Sequence, residues 1–279
     1  LYHRGISLDI LHELITCDSQ WLTAKQTLEQ LQADRNRLVP KGKPTETQRE
    51  QLSQLSNKIK ALQGTVSKIN DDRDALSLRI PNVLQTDVPV GNDESDNATI
   101  ETVGTCPTFN FEPLSHDALG EKRGFFQSEQ AAKISGARFA VFVGKGAALE
   151  RAVASYMLDT HTKKFGYIEV SPPVIVHSTS LTGTGQLPKF EKDQYEIFSE
   201  KDEERKFLIP TAEVPLSNLF NNSTIDQKKL PLRFVAGTPC FRREAGSYGK
   251  DTKGIMRQHQ FYKVELVSLV EPSKCNDEL

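Results

Sequence analysis

The amino-acid sequence predicts an α+β protein, in which an antiparallel hairpin of two long helices precedes an antiparallel sheet flanked by helices. Three observations lead to this prediction. Apolar residues recur at heptad spacing through the N-terminal region, a helix-breaking segment divides them, and two later segments are rich in strand-forming residues. The domains we expect are a helical arm over residues 1–80, a linker over 81–98 and a mixed domain over 99–279.

The helical arm is predicted from apolar series with a spacing of seven residues, offset by three as positions a and d of a coiled coil require. In the first segment the series are Leu14, Trp21 and Leu28, and Cys17, Ala24, Leu31 and Leu38. In the second they are Leu52, Ile59 and Val66, and Leu55, Leu62, Ile69 and Leu76. Because the two segments have similar lengths and a short connection, we expect them to fold back as a hairpin.

The connection between the two segments, Val39–Pro44, contains two prolines and a glycine and cannot continue a helix. Thr45 or Thr47 is suited to cap the helix that follows. Basic residues are frequent on the arm: Arg35, Arg37, Lys41, Lys43, Arg49, Lys58, Lys60, Lys68, Arg73 and Arg79. These basic residues are consistent either with a phosphate-binding surface or with an ordinary solvated helix face. The apolar seam is also consistent with a coiled coil that forms oligomers. The arm sequence by itself therefore does not decide between these functions.

Composition limits the classes of function. The net charge is −2, so a nucleic-acid binder would have to gather its positive charge in one place. The four cysteines are far apart and show neither zinc-ligand spacing nor a disulfide framework, which favours free thiols in the cytoplasm. No apolar run approaches the roughly 20 residues needed to span a bilayer, so we expect no membrane partner.

The mixed domain follows a polar, turn-prone linker that begins after Ile80. A helix is predicted over 146–165, a strand over Gly166–Val170 and a short apolar strand over Phe207–Ile209. The segments Leu232–Phe241 and Gln260–Val270 are predicted to form a long antiparallel hairpin, because no helical segment separates them.

The predicted hairpin carries the densest set of reactive side chains. Arg242 and Glu244 are two residues apart, and Arg257, Phe261 and Glu265 follow at spacings of four, so a regular strand presents each group on one face. Buried salt bridges explain two guanidiniums and two carboxylates. A site for a phosphorylated aromatic ligand explains them together with the ring. Spacing alone leaves both interpretations open.

The same residues resemble known motifs. Phe241-Arg-Arg-Glu244, followed by Arg257-Gln-His-Gln-Phe261, resembles motif 2 of the class II aminoacyl-tRNA synthetases, and Gly166–Pro173 fits the end of motif 1. Longer strings, including PTAEVPLSN from Pro210 and GTGQLPKF from Gly183, are similar to those of the seryl-tRNA synthetase family. The helical hairpin also matches the tRNA-binding arm of that family, so the resemblance covers essentially the whole chain.

The resemblance implies roles for individual residues. Arg242 would hold the α-phosphate of ATP and the serine carboxylate, Glu244 would lie near adenine, Arg257 would contact the γ-phosphate and Phe261 would stack on adenine. The catalytic residues implied are Arg242, Glu244 and Arg257, and the ATP-binding residues are these three with Arg243 and Phe261. Arg243 replaces a residue that is commonly small in the family and should point away from Arg242.

The serine-binding residues implied are Thr211, Ala212, Glu213, Arg242 and Glu265, with no metal ligand among them. Glu213 and Glu265 would share the ammonium and hydroxyl groups of serine, and Pro173 would lie at a dimer interface. The motif 2 loop, with Lys250, Asp251 and Lys253, is either a tRNA contact or a solvated turn.

The function implied is that of a cytoplasmic, homodimeric serine–tRNA ligase. Such an enzyme forms seryl-adenylate from L-serine and ATP with Mg²⁺, then transfers the seryl group to the 3′ end of tRNA(Ser), with tRNA(Sec) as a second candidate. No segment after motif 2 matches motif 3 of the class, so we expect this polypeptide alone to have weak or no activity. The alternatives are an aminoacyl ligase for a carrier protein and a catalytically incomplete protein that binds tRNA or dimerises. The basic arm argues against the first, and the intact motif 2 residues argue against the second.

Overall fold

The computed structural model describes residues 4–40, 42–91, 93–198, 204–245 and 254–279. The chain divides into two compact units, one extending to Cys106 and the other beginning at Pro107. None of the helices in these ranges is both long enough and apolar enough to cross a membrane.

The first unit contains the predicted helical hairpin, formed by α1 (Asp9–Leu38) and α2 (Glu46–Ser77). The helices are antiparallel, since the thiol of Cys17, early in α1, lies 3.5 Å from the carbonyl oxygen of Ile69, late in α2. Thr45 begins α2 with a capping box: its hydroxyl accepts a hydrogen bond from the backbone N–H of Gln48 at 3.3 Å, and its own N–H donates to the Gln48 side chain at 3.0 Å. These contacts confirm the hairpin and the capping role of Thr45.

The seam of the arm follows the heptad positions. All but one of the predicted a and d residues are buried or half-buried, and Ile59 is the most buried, at 4% exposure. The exception is Leu38, the last residue of α1, which has no further helical turn beside it. Trp21 is also covered by cations, because the Arg73 guanidinium lies 4.1 Å from its ring centroid and the Lys25 ammonium 4.6 Å.

The second unit is a mixed α and β structure. Its helices are α3 (His116–Lys122), α4 (Ser128–Ser135), α5 (Lys145–Phe165), α6 (Ser178–Gly183), α7 (Glu213–Asn218) and α8 (Cys275–Glu278). Its strands are β1 (Ile168–Glu169), β2 (Ile175–His177), β3 (Tyr195–Ile197), β4 (Lys206–Leu208), β5 (Leu232–Phe241) and β6 (Gln260–Leu269). The strands form two sheets, ordered β1-β5-β6 and β2-β4-β3.

The β5–β6 pair is the predicted long antiparallel hairpin, with ten residue pairs in register. The sheet that contains it is mixed rather than purely antiparallel, because β1 pairs with β5 in parallel, Ile168 opposite Phe234. Roughly sixty residues separate β1 from β5, which is ample chain for the crossover that a parallel pair requires. The fold class is otherwise confirmed.

The core of the second unit lies around α7 and the two sheets. One cluster joins Leu181, Phe207 and Val214, and another joins Ala212, Leu216, Phe234 and Ala236. Helix α5 was predicted with an apolar face, and it occurs at the predicted place. That face is nevertheless open in the structure, since Leu149, Val153, Tyr156 and Met157 are between 44% and 68% exposed.

Candidate active site

The β5–β6 hairpin presents one set of side chains on a single face. Because Cys240 is opposite Phe261 and Thr238 is opposite Lys263, alternate residues of both strands point the same way. The ladder continues one step past the strands, where the Arg242 N–H donates to the His259 carbonyl at 2.9 Å. The face therefore carries Thr238, Cys240, Arg242, Phe261, Lys263 and Glu265.

A second chain segment joins this face at the end of β4. The Phe241 N–H donates to the carbonyl of Ile209 at 2.9 Å, which attaches the residues after β4 to the end of β5. The Arg242 Nε–H donates to the Pro210 carbonyl at 3.2 Å. Thr211 is thereby brought to the hairpin, although it is far from it in sequence.

The nucleotide end of the predicted site contains Arg242, Glu244, Arg257 and Phe261. The Arg242 guanidinium lies 5.2 Å from the Phe261 ring centroid, and Arg257 Nη1 lies 3.1 Å from Glu244 Oε2. The structure thus brings together both arginines, the carboxylate and the ring, and the Arg257–Glu244 salt bridge is partly exposed and not buried.

Glu244 adopts an unusual backbone conformation, with φ at 48°. A non-glycine residue in this left-handed region is held by its surroundings. Here the next N–H, that of Ala245, donates to the Asp193 carboxylate at 2.8 Å, and Arg138 Nη1 donates to the Glu244 carbonyl at 3.3 Å. The strain turns the chain at the point where the Glu244 carboxylate meets Arg257.

The predicted amino-acid end is built around Glu265. The Thr211 hydroxyl donates to Glu265 Oε2 at 2.5 Å, and the Lys263 ammonium donates to Thr211 Oγ1 at 3.1 Å and pairs with the same Glu265 oxygen. Glu213 begins α7 with an exposed side chain, while its N–H lies 3.4 Å from the Thr211 hydroxyl.

A cavity of about 500 Å³ connects the two ends. Its lining includes Thr211, Glu213, Arg242, Glu244 and Arg257 from the predicted set, together with Lys263, Gln194, Asp193, Gln186, Phe190 and Pro210. Phe261 and Glu265 lie behind the lining, where Phe261 contacts Arg242 and Glu265 contacts Thr211. The cavity is therefore polar, with guanidiniums at one end and carboxylates at both.

Four predicted residues do not line the cavity: Phe261, Glu265, Ala212 and Arg243. Ala212 is fully buried in the cluster of Leu216 and Phe234, so it positions its neighbours in sequence. Arg243 points away from Arg242, as its spacing predicted, and lines a separate cavity beside Asp193. The motif 2 loop residues Lys250, Asp251 and Lys253 lie outside the described residues, and Pro173 is exposed.

Six residues of the lining were not predicted as site residues: Gln186, Phe190, Asp193, Gln194, Pro210 and Lys263. Lys263 had a detectable signal, because it lies two residues from both Phe261 and Glu265 and so must share their face. Asp193 and Gln194 had none, since they reach the cavity from the segment before β3. Cys240 lies on the same face but is fully buried, and burial raises the pKa of its thiol, which disfavours a nucleophilic thiolate.

No metal-binding cluster occurs in the part of the chain that the structure describes, where no three His, Cys, Asp or Glu side chains converge suitably.

Models of known protein families match parts of both units of the chain. Residues 1–84 match the model of the seryl-tRNA synthetase N-terminal domain, and residues 194–279 match that of the tRNA synthetase class II core domain (G, H, P, S and T). The serine–tRNA ligase of Desulfotalea psychrophila is 43% identical over 99% of this chain and 67% of its own length. The chain belongs to the serine–tRNA ligase family.

Two further members of the family extend the comparison. The serine–tRNA ligase of Pelagibacter ubique is 50% identical over 82% of this chain and 55% of its own length. The crystal structure of the seryl-tRNA synthetase from Pyrococcus horikoshii complexed with ATP superposes with a TM-score of 0.82 at 31% identity, covering 96% of this chain and 65% of that one. The chain thus spans between about half and two thirds of the length of these family members.

Proposed function

We propose that the protein is a serine–tRNA ligase that forms seryl-adenylate from serine and ATP and passes the seryl group to tRNA. One observation carries the proposal: a single cavity is lined by Arg242 and Arg257 and by Thr211 and Glu213, with the Phe261 ring beside Arg242 and the Glu265 carboxylate bonded to Thr211. The end with the two arginines suits a nucleoside triphosphate, and the end with Thr211 and Glu213 suits a small zwitterion with a hydroxyl group.

In the activation step, a carboxylate oxygen of serine attacks the α-phosphorus of ATP, and the bond to pyrophosphate breaks. Negative charge then accumulates on the phosphoryl oxygens, and fixed positive charge lowers the barrier. Arg242 is held by the Pro210 carbonyl and the Phe261 ring, so its guanidinium is already oriented. Arg257 is more exposed and pairs with Glu244, which suits a group that closes on the outer phosphates.

Mg²⁺ bound with ATP would supply further positive charge at the phosphates. It would be held by phosphate oxygens of ATP and by water, and we assign it no ligand among the described residues, because Glu244 is placed near adenine and pairs with Arg257. The Pyrococcus horikoshii relative solved with ATP supports ATP as the nucleotide.

Serine selection is proposed to depend on Glu265, Glu213 and Thr211. The carboxylates would accept hydrogen bonds from the ammonium and hydroxyl groups of the substrate. A pocket built to bond a hydroxyl leaves its own polar groups unpaired when alanine binds, and such pockets discriminate by factors on the order of 10⁴.

The arm is the proposed site for tRNA(Ser), with tRNA(Sec) as a second candidate. Its match to the family's N-terminal domain and its exposed basic side chains support this role, because phosphate contacts dominate nucleic-acid affinity. We also propose a cytoplasmic homodimer: the exposed apolar face of α5 and the exposed Pro173 are surfaces that a second subunit would cover.

The test is ATP–pyrophosphate exchange with a panel of amino acids, using the protein expressed from its complete reading frame. We expect exchange with serine alone. Exchange with a different amino acid would reassign the pocket. Absence of exchange, with tRNA binding retained, would favour the non-catalytic tRNA-binding alternative.

A further inference from the structure

Lys263 occupies the centre of the amino-acid end, where the family resemblance assigned it no role. It lies on β6 opposite Thr238, between Phe261 and Glu265 on the site face. Its ammonium donates to Thr211 Oγ1 at 3.1 Å and pairs with Glu265 Oε2. The Lys263 side chain is 35% exposed and that of Glu265 is 18% exposed, so the pair is partly shielded from solvent.

The contacts at Glu265 are one-sided. Both the Thr211 hydroxyl and the Lys263 ammonium are bonded to Oε2, whereas Oε1 receives no hydrogen bond from the residues that the structure describes. Two bonds to one oxygen fix the plane of the carboxylate. The other oxygen then has a defined direction in which to accept a bond from a ligand.

Charge balance gives Lys263 a second effect. Glu213 and Glu265 place two carboxylates at this end, and Arg242 and Lys263 place two cations beside them. Removing Lys263 would leave a net negative charge, which acts on serine and alanine alike and therefore cannot replace selection through the hydroxyl group.

We propose that Lys263 is a positioning residue that orients the Glu265 carboxylate, so that the pocket selects an amino acid bearing a hydroxyl group. This inference rests on the proposed function. An ion pair that only stabilises the hairpin is the competing role, and it predicts loss of stability without loss of selectivity.

The experiment compares Lys263→Met and Lys263→Arg with the unmodified protein, each expressed from the complete reading frame, in ATP–pyrophosphate exchange. Lys263→Met should raise the KM for serine about tenfold, leave the KM for ATP within about twofold, and lower the serine-over-alanine ratio of kcat/KM about tenfold. Lys263→Arg, which keeps the charge, should restore much of the ratio. Lys274→Met is the matched control, because Lys274 also pairs with a glutamate, Glu271, but does not line this cavity.

The outcomes separate the inference from the function. Serine exchange by the unmodified protein, with an unchanged KM and serine-over-alanine ratio in Lys263→Met, would overturn the positioning role and leave the function standing. An unmodified protein without exchange would overturn both. If Lys263→Met does not fold, Lys263→Gln replaces it, and loss of cooperative melting in both variants would assign Lys263 a structural role instead.

Discussion

The molecule contains a helical hairpin and a strand hairpin, and the two are stabilised by different kinds of contact. The helical hairpin, α1–α2, is held by contacts along one seam whose positions repeat in the sequence. The strand hairpin, β5–β6, carries the candidate site, and its partners come from chain segments far away, such as Thr211 and Asp193. The helical hairpin is specified by a repeating local sequence pattern. The site on the strand hairpin, in contrast, forms only when distant segments of the chain pack against it. Variants in each should therefore affect different measurements.

The largest effect should come from Arg242→Ala in the strand hairpin. Loss of the oriented guanidinium removes charge stabilisation at the phosphoryl group, and kcat for serine-dependent pyrophosphate exchange should fall about 10³-fold. Arg243→Ala is the matched control, since its side chain lines another cavity, and it should change the rate less than about threefold. Equal losses in the two variants would contradict the assignment of Arg242.

Ile59→Ala tests the helical hairpin. Ile59 is the most buried residue of the seam, and truncating it should lower the unfolding free energy of the arm by about 2 kcal/mol, while exchange activity stays unchanged. Hydrogen exchange of α2 amides measures the change. Ile15→Ala removes the same atoms from an exposed position of α1 and should have an effect below about 0.5 kcal/mol. Similar values for both variants would show that the seam is not where the arm gains its stability.

The triple variant Lys58→Glu, Lys60→Glu, Lys68→Glu tests the surface of the same hairpin. Reversing three exposed charges should weaken tRNA(Ser) binding by about tenfold and reduce its salt dependence, because fewer counterions are released. Filter binding across a salt series measures both quantities. Pyrophosphate exchange, which needs no tRNA, is the internal control and should be unaffected. A tRNA affinity that is unchanged at every salt concentration would remove the arm from tRNA binding.

The smallest effect should come from the far end of the strand hairpin, where Arg233 holds Glu278 through two hydrogen bonds of 2.6 and 2.7 Å. These bonds lower the pKa of Glu278 from 4.5 to about 2. Because the folded-state pKa is depressed, the stabilisation is present above about pH 4.5 and is lost as the pH falls towards 2.

Glu278→Gln should accordingly lower the urea midpoint slightly at pH 7, and the difference from the unmodified protein should shrink below pH 4.5. Asp277→Asn, at the exposed neighbouring position, should leave the midpoint unchanged at pH 7. A difference that persists undiminished at pH 2.5 would mean that the ion pair is not its source.

The sequence predicted most of what depends on local pattern. The heptads and Thr45 defined the arm, and residue alternation placed Arg242, Phe261 and Glu265 on one face. The same alternation also places Lys263 on that face, so its position was predictable from the sequence.

Features that depend on distant segments could not be predicted in this way. Strand β1 pairs in parallel with β5, from which it is separated by a long stretch of sequence. Asp193 supports Glu244 only once the segment before β3 folds against the hairpin. No spacing rule in the sequence relates such residues, since their separation is set by packing and not by the period of a helix or strand.

The left-handed backbone conformation of Glu244 affects which residues are favourable at this position. Glycine adopts such a conformation freely, whereas a residue with a Cβ atom loses about 1 kcal/mol or more. The sequence that would fold best at this position therefore differs from the one that places a carboxylate beside Arg257. Glycine here would relieve the backbone strain, but it would remove the carboxylate that pairs with Arg257.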